Sequence, residues 1–190
     1  VTPDPGAAYE RAITIDAGGT ITAVSVVSNG ANNISLTALD GDLIAGTIDA
    51  NPNLFGGIVT LQAEDNFDFQ AGSLVEATGI GAAIVIQRID GADGGGSSFA
   101  LAGQLTAATT IQLTGSADVD TFTMAATAGL NATQTTFSGL AANDTFNLRP
   151  QAGSPINVDG GTPIFGDPGI PPGDTLNLIL PALVNVPTLT

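Results

Sequence analysis

The side chains in this sequence that could do chemistry are almost all carboxylates. There are 18 Asp and Glu residues, 15 of them Asp, against three arginines (Arg11, Arg88 and Arg149), and there is no His, Cys or Lys. Without a neutral-pH base, a thiol or a Schiff-base amine, only paired carboxylates are left for catalysis. A glycosidase pair needs its two carboxyl groups roughly 5 to 9.5 Å apart across a groove, and three scattered arginines with a single tyrosine, Tyr9, make a poor sugar cleft. The residue inventory therefore argues against an enzyme. Cation binding remains. Asp118 and Asp120 are two residues apart, as are Asp40 and Asp42, and Asp90 lies near Asp93. Residues two apart on an extended segment point to the same side, so each pair could hold a divalent cation. A solvated acidic turn has the same spacing, and among 15 aspartates close pairs arise by chance.

The net charge of −15 repels phosphate backbones and anionic lipid, which excludes nucleic-acid binding and electrostatic membrane binding. Divalent cations, basic partners and neutral glycans stay open as partners. No apolar run approaches the roughly 20 residues of a membrane-spanning helix. The opening Val1-Thr-Pro-Asp-Pro5 lacks the basic and apolar regions of a signal peptide, so an exported form is expected to be a mature chain or a piece of a longer precursor. The absence of cysteine is compatible with any redox compartment.

At 190 residues with 43% hydrophobic content and a mean hydropathy of +0.33, the chain should bury the core of one ordinary domain. Aromatics are only 5% and Gly reaches 25 residues, so small and β-branched side chains must do much of the packing. Helical spacing is nearly missing. Ile, Val, Thr and Phe instead alternate with small polar residues in short bursts, broken by turn formers at Asn29-Gly30, Asp40-Gly41, Gly56-Gly57, Gly94-Gly95-Gly96 and Gly160-Gly161.

The bursts repeat. An apolar-x-apolar unit recurs at Ile13, Ile34, Val59, Ile84, Ile111 and Ile156, with a weaker Thr135 before the last, in steps of 21, 25, 25, 27, 24 and 21 residues. A second series runs through Phe67, Phe99, Phe122, Phe146 and Leu176, and a looser third through Val24, Ile48, Leu74, Leu105 and Leu130. Three apolar series with a period near 24 predict an all-β chain folded as a right-handed parallel β-helix. It would have about seven coils of roughly 24 residues and three short strands per coil, with like residues stacked on like. The hand follows from the general preference of parallel crossovers. Short strands at regular spacing also suit a β-sandwich, the alternative fold. The solenoid is expected over residues 12–180, with an N-terminal extension at 1–11, a C-terminal tail at 181–190 and Gly- or Pro-rich loops inserted near 88–98 and 162–173.

The segments Asn33 to Gly46 (NISLTALDGDLIAG) and Gly57 to Leu74 (GIVTLQAEDNFDFQAGSL) resemble the repeats of filamentous-haemagglutinin-type bacterial surface proteins, over about residues 12–110. The resemblance implies a right-handed β-helix exported as an adhesin. In the second half, Gly115 to Phe122 (GSADVDTF), Asn143 to Leu148 (NDTFNL) and Gly173 to Leu178 (GDTLNL) resemble degenerate calcium-binding repeats of the haemolysin type. That likeness implies Ca²⁺ at Asp120, Asp144 and Asp174, each two residues before an inward apolar side chain, although nine-residue spacing and most of the family's glycines are missing. The competing reading is that these aspartates cap backbone N–H groups where the turn enters the strand. Candidate metal ligands are thus Asp118, Asp120, Asp144 and Asp174, with Ca²⁺ the cofactor they could take. Asn33, Asn131 and Asn143 begin formal N-glycosylation sequons, which matter only in a host with the modifying enzyme.

The expected function is structural: an extracellular or cell-surface solenoid whose ends join copies of itself or adjacent solenoid domains into a fibre. The alternative is a glycan- or matrix-binding module acting through the two inserted loops.

Overall fold

The strands form where apolar or β-branched residues alternate with small polar ones, and several end at turn formers, as at Gly18, Gly115, Gly139 and Gly160. A computed structural model of the chain describes residues 12–28, 33–50, 57–89, 95–152, 154–162 and 173–180. Among these residues there is no helix, and the strands in chain order are β1 (Ile13–Ala17), β2 (Ile21–Val27), β3 (Ile34–Ala38), β4 (Leu43–Asp49), β5 (Val59–Ala63), β6 (Phe67–Ala77), β7 (Ile84–Arg88), β8 (Ser98–Leu101), β9 (Gln104–Ala107), β10 (Thr110–Thr114), β11 (Thr121–Met124), β12 (Gly129–Asn131), β13 (Gln134–Ser138), β14 (Thr145–Leu148), β15 (Ile156–Asp159) and β16 (Thr175–Leu178). Every pairing between these strands is parallel. The fold is a parallel β-solenoid.

On the first face β1, β3, β5, β7, β10, β13 and β15 stack in that order. Their register sets Ile13, Ile34, Val59, Ile84, Ile111, Thr135 and Ile156 one above another, the first series of the sequence rung for rung. The second face aligns Phe67, Phe99, Phe122, Phe146 and Leu176, and extends the series back through Leu43 to Ile21, two rungs the aromatic pattern did not reveal.

The third face differs from expectation in two members and in extent. Val24 is 77% exposed and Leu74 half-buried; the inward column is Val26, Ile48, Val75, Leu105 and Leu130. The reason is a bend. β2, β4 and β6 run around the corner from the second face to the third, and the β4–β6 register shifts between Ala45 and Thr47, so the in-out alternation slips at the corner. From β8 and β9 onward the corner is broken at Ala102-Gly103, and a Cβ at Gly103 would overlap Ser73 of the coil below. Among the described residues, strands of the third face end at β12 and the last coils keep strands on two faces only, so the solenoid has about five turns rather than seven.

The core consists of the inward columns. Phe67, Phe99, Phe122 and Phe146 are at most 1% exposed, and their rings stack at centroid distances of 4.7, 4.4 and 5.0 Å, with Phe137 edge-on to Phe122 at 5.8 Å. Each such burial contributes about 1.5–3 kcal/mol before any stacking preference is added. Burial fades at the C-terminal end, where Ile156 and Val158 are half-buried and Leu176, Leu178 and Leu180 are 50, 58 and 69% exposed. An apolar cavity of about 390 Å³ opens there, lined among others by Leu148, Ile156, Val158, Leu176 and Leu178. Of the two inserted loops, residues 90–94 and 163–172 lie outside the described residues; Arg88, placed at a loop edge by the sequence, is instead the buried last residue of β7.

Candidate functional site

The turns leading into the second face hold the polar side chains of interest, because each coil leaves backbone N–H groups there that the flat strand ladder does not reach. In the first coils the residue immediately before the inward apolar side chain supplies the acceptor. Asp42 N–H donates to Thr20 Oγ1 at 3.2 Å, Asn66 N–H to Asp42 Oδ1 at 3.1 Å and Ser98 N–H to Asn66 Oδ1 at 3.0 Å. In the later coils the acceptor moves one residue earlier and the direction reverses. Ser97 N–H donates to Asp120 Oδ1 at 2.6 Å, Asp120 N–H to Asp144 Oδ1 at 2.7 Å and Asp144 N–H to Asp174 Oδ1 at 2.9 Å. The two ladders meet at Ser97 and Ser98, whose adjacent N–H groups point to opposite ends of the solenoid.

Asp120 is fully buried, Asp144 is 1% exposed and Asp174 is exposed, so the carboxylate column runs from the core to the open end. The Asp120 carboxylate also accepts the Ser116 N–H on Oδ2 at 2.5 Å and lies 3.2 and 3.3 Å from the Ser116 hydroxyl. Burial raises its pKa, opposed by the N–H groups of Ser116 and Ser97, the Ser116 hydroxyl and the Arg88 charge. Asp144 has no counterpart of Ser116: its Oδ2 is buried without a hydrogen-bond partner. Burial pushes Asp144 up to about 7, with the charges of Asp120 and Asp174 adding to the rise and the Asp120 N–H opposing it. Space for the column comes from Gly115, Gly139 and Gly160, where a Cβ would overlap Oδ2 of Asp120, Asp144 and Asp174 respectively.

Asp118 does not join the column. Its Oδ2 lies 3.4 Å from Nη1 of Arg88, whose side chain is 1% exposed and whose Nε donates to the Glu64 carbonyl at 2.7 Å. Arg88 thus occupies the inward corner position that Ala17, Ala38 and Ala63 fill in earlier coils. Asp42 acts as a rung of the first ladder, Asp40 is exposed, and Asp90 and Asp93 lie outside the described residues. Of the sequon asparagines, Asn33 accepts the Ile58 N–H and Asn143 the Gly173 N–H through Oδ1, while Asn131 is exposed on β12.

Asp120, Asp144 and Asp174 therefore act as turn caps. N–H donors point at both oxygens of Asp120 and at Oδ1 of Asp144 and Asp174, the atoms a calcium shell would need. Among the described residues no three carboxylates converge on one point. These N–H donors compete with a cation for the same oxygens. Two features escaped sequence reasoning: the glycine five residues before Asp120 and Asp144, which was legible as a recurring Gly-x₄-Asp spacing, and the buried Arg88, which carried no signal.

No protein family, curated protein or solved structure matches this chain.

Proposed function

We propose that the chain is an extracellular structural or adhesive protein, a solenoid that joins copies of itself or neighbouring solenoid domains into a surface fibre, and that it is not an enzyme. The observation that supports this reading is the state of the two ends. Among the described strands, β1 and β2 at one end and β15 and β16 at the other each have a strand partner on one side only, and inward-facing Ile15, Leu176 and Leu178 are 42, 50 and 58% exposed. Such edges are templates for further strands. Of the carboxylates offered for chemistry, Asp42, Asp120, Asp144 and Asp174 cap turns and Asp118 lies against Arg88, and His, Cys and Lys are absent from the sequence. The high negative charge opposes sideways clumping. The likeness to haemagglutinin-type repeats supports the adhesin and surface parts of the reading.

Negative-stain electron microscopy over a range of protein concentrations tests it. Filaments that lengthen with concentration are expected; isolated short rods at every concentration would remove self-joining and shift weight to binding through the inserted loops.

A further inference from the structure

Among the described residues, the C-terminal end of the solenoid carries a specific pattern. β15 reads Ile156-Asn157-Val158-Asp159 and β16 reads Thr175-Leu176-Asn177-Leu178. At the other end β1 begins Ile13-Thr14-Ile15-Asp16, and the second face begins Thr20-Ile21-Thr22-Ala23. We propose that the occupant of the C-terminal end is the N-terminal coil of a second copy, docked head to tail so that β1 extends the first face beyond β15 and β2 extends the second beyond β16. This rests on the reading of the chain as a self-joining protein and specifies its partner, polarity and register.

In the register of the internal coils each inward side chain at the junction meets an apolar one: Ile13 on Ile156, Ile15 on Val158, Ile21 on Leu176 and Ala23 on Leu178. These additions fall on the mouth of the apolar cavity. The outward pairs repeat chemistry the solenoid already uses. Asn177 Nδ2 donates to Asn147 Oδ1 at 2.8 Å and Asn147 Nδ2 lies 3.4 Å from Thr123 Oγ1, so Asn177 facing Thr22 of the next copy extends an Asn–Asn–Thr column. Thr175 immediately precedes an inward apolar residue, as Thr20 does, and Thr20 Oγ1 accepts the N–H of the coil above it. Thr175 can accept the N–H of the incoming Thr20 in the same way.

Neither edge carries the proline or lysine that blocks pairing in many edge strands. A two-fold meeting of two C-terminal ends would run the strands antiparallel and lose this register, whereas a head-to-tail contact propagates as an open filament. One pair is unfavourable, Asp16 above Asp159 on the outer surface, so added salt strengthens assembly. Strands of about five residues are ~16 Å long, so one coil end covers on the order of a few hundred Å² per copy, the weak end of specific interfaces. Assembly is accordingly concentration-dependent.

The chain has no cysteine, which makes crosslinking a clean test. Parallel neighbours lie about 4.8 Å apart, inside the disulfide range of roughly 4.4–6.8 Å between Cα atoms. Thr14→Cys and Asn157→Cys variants, both at exposed positions, would be oxidised singly and as a mixture at concentrations where electron microscopy shows filaments. Dimers well above background in the mixture, with neither variant crosslinking alone, are the expected result. Efficient Asn157→Cys self-crosslinking overturns the polarity in favour of a two-fold contact. Filaments without crosslinks overturn the register while leaving the structural reading intact. Monomers without filaments or crosslinks at any concentration overturn both, and leave the end to other segments of the same chain.

Discussion

Replacing Asp144 by Asn probes the carboxylate column where it is least compensated. Asn Oδ1 can still accept the Asp120 N–H, and its amide stays neutral at every pH, while the wild-type carboxyl has a buried Oδ2 without a partner and a pKa raised from 3.8 to about 7. Between those values the folded chain holds a proton that the unfolded chain has released. More protons bound in the folded state mean that stability falls as pH rises. The contribution is fully present below about pH 4 and is lost by the time pH passes through about 7. A rise of about three units at about 1.4 kcal/mol each sets a ceiling of about 4 kcal/mol, and relaxation of the exposed Asp174 end brings the real figure below it. Urea unfolding of both proteins at pH 4.5, 6 and 7.5 isolates the effect in their difference, because carboxylates remote from the column titrate equally in both and only Asp120 and Asp174 feel the Asp144 charge. Asp144→Asn should gain on the wild type by on the order of 2 kcal/mol across this range. A difference that is constant with pH would refute the reasoning, since it would mean that Asp144 is ionised throughout.

Further outcomes follow from the same geometry. Phe122→Ala removes a ring stacked on both sides and should cost about 3–5 kcal/mol by chemical denaturation; a loss under 1 kcal/mol would contradict the aromatic column. Gly139→Ala places a methyl group on Asp144 Oδ2 and should destabilise by about 2 kcal/mol or more, with much of that loss relieved in combination with Asp144→Ala. Chelation with excess EDTA should leave the thermal midpoint and any filaments unchanged, because N–H donors already engage Asp120, Asp144 and Asp174; a drop of several degrees would restore calcium to the column.

Much of this fold was readable because a solenoid writes its register into the sequence. Ile13 through Ile156 and Phe67 through Leu176 sit on fixed faces, so inward apolar residues recur at the coil length and no long-range guess is needed. The third face was less legible for a local reason. Val24 and Leu74 follow the apolar spacing, but past the bend in β2 and β6 the inward residues are Val26, two positions beyond Val24, and Val75, one beyond Leu74. The coil count was overestimated because the first-face repeat continues past the point where the third face stops. At the candidate site the sequence offered both cap and calcium for the Asp-Thr turns. Only the direction of the N–H groups of Ser97, Asp120 and Asp144 separates those readings, and direction is a property of stacking between coils about 24 residues apart.

Joining of the exposed end to another solenoid can be read by sedimentation velocity of the wild type and of a Leu176→Asp, Leu178→Asp double variant across a wide concentration range. Both leucines are more than half or half exposed, so the substitutions should spare the fold while charging the junction. The wild type should shift to faster-sedimenting species as concentration rises while the variant remains a monomer. Wild type and variant sedimenting alike as monomers throughout would contradict such joining.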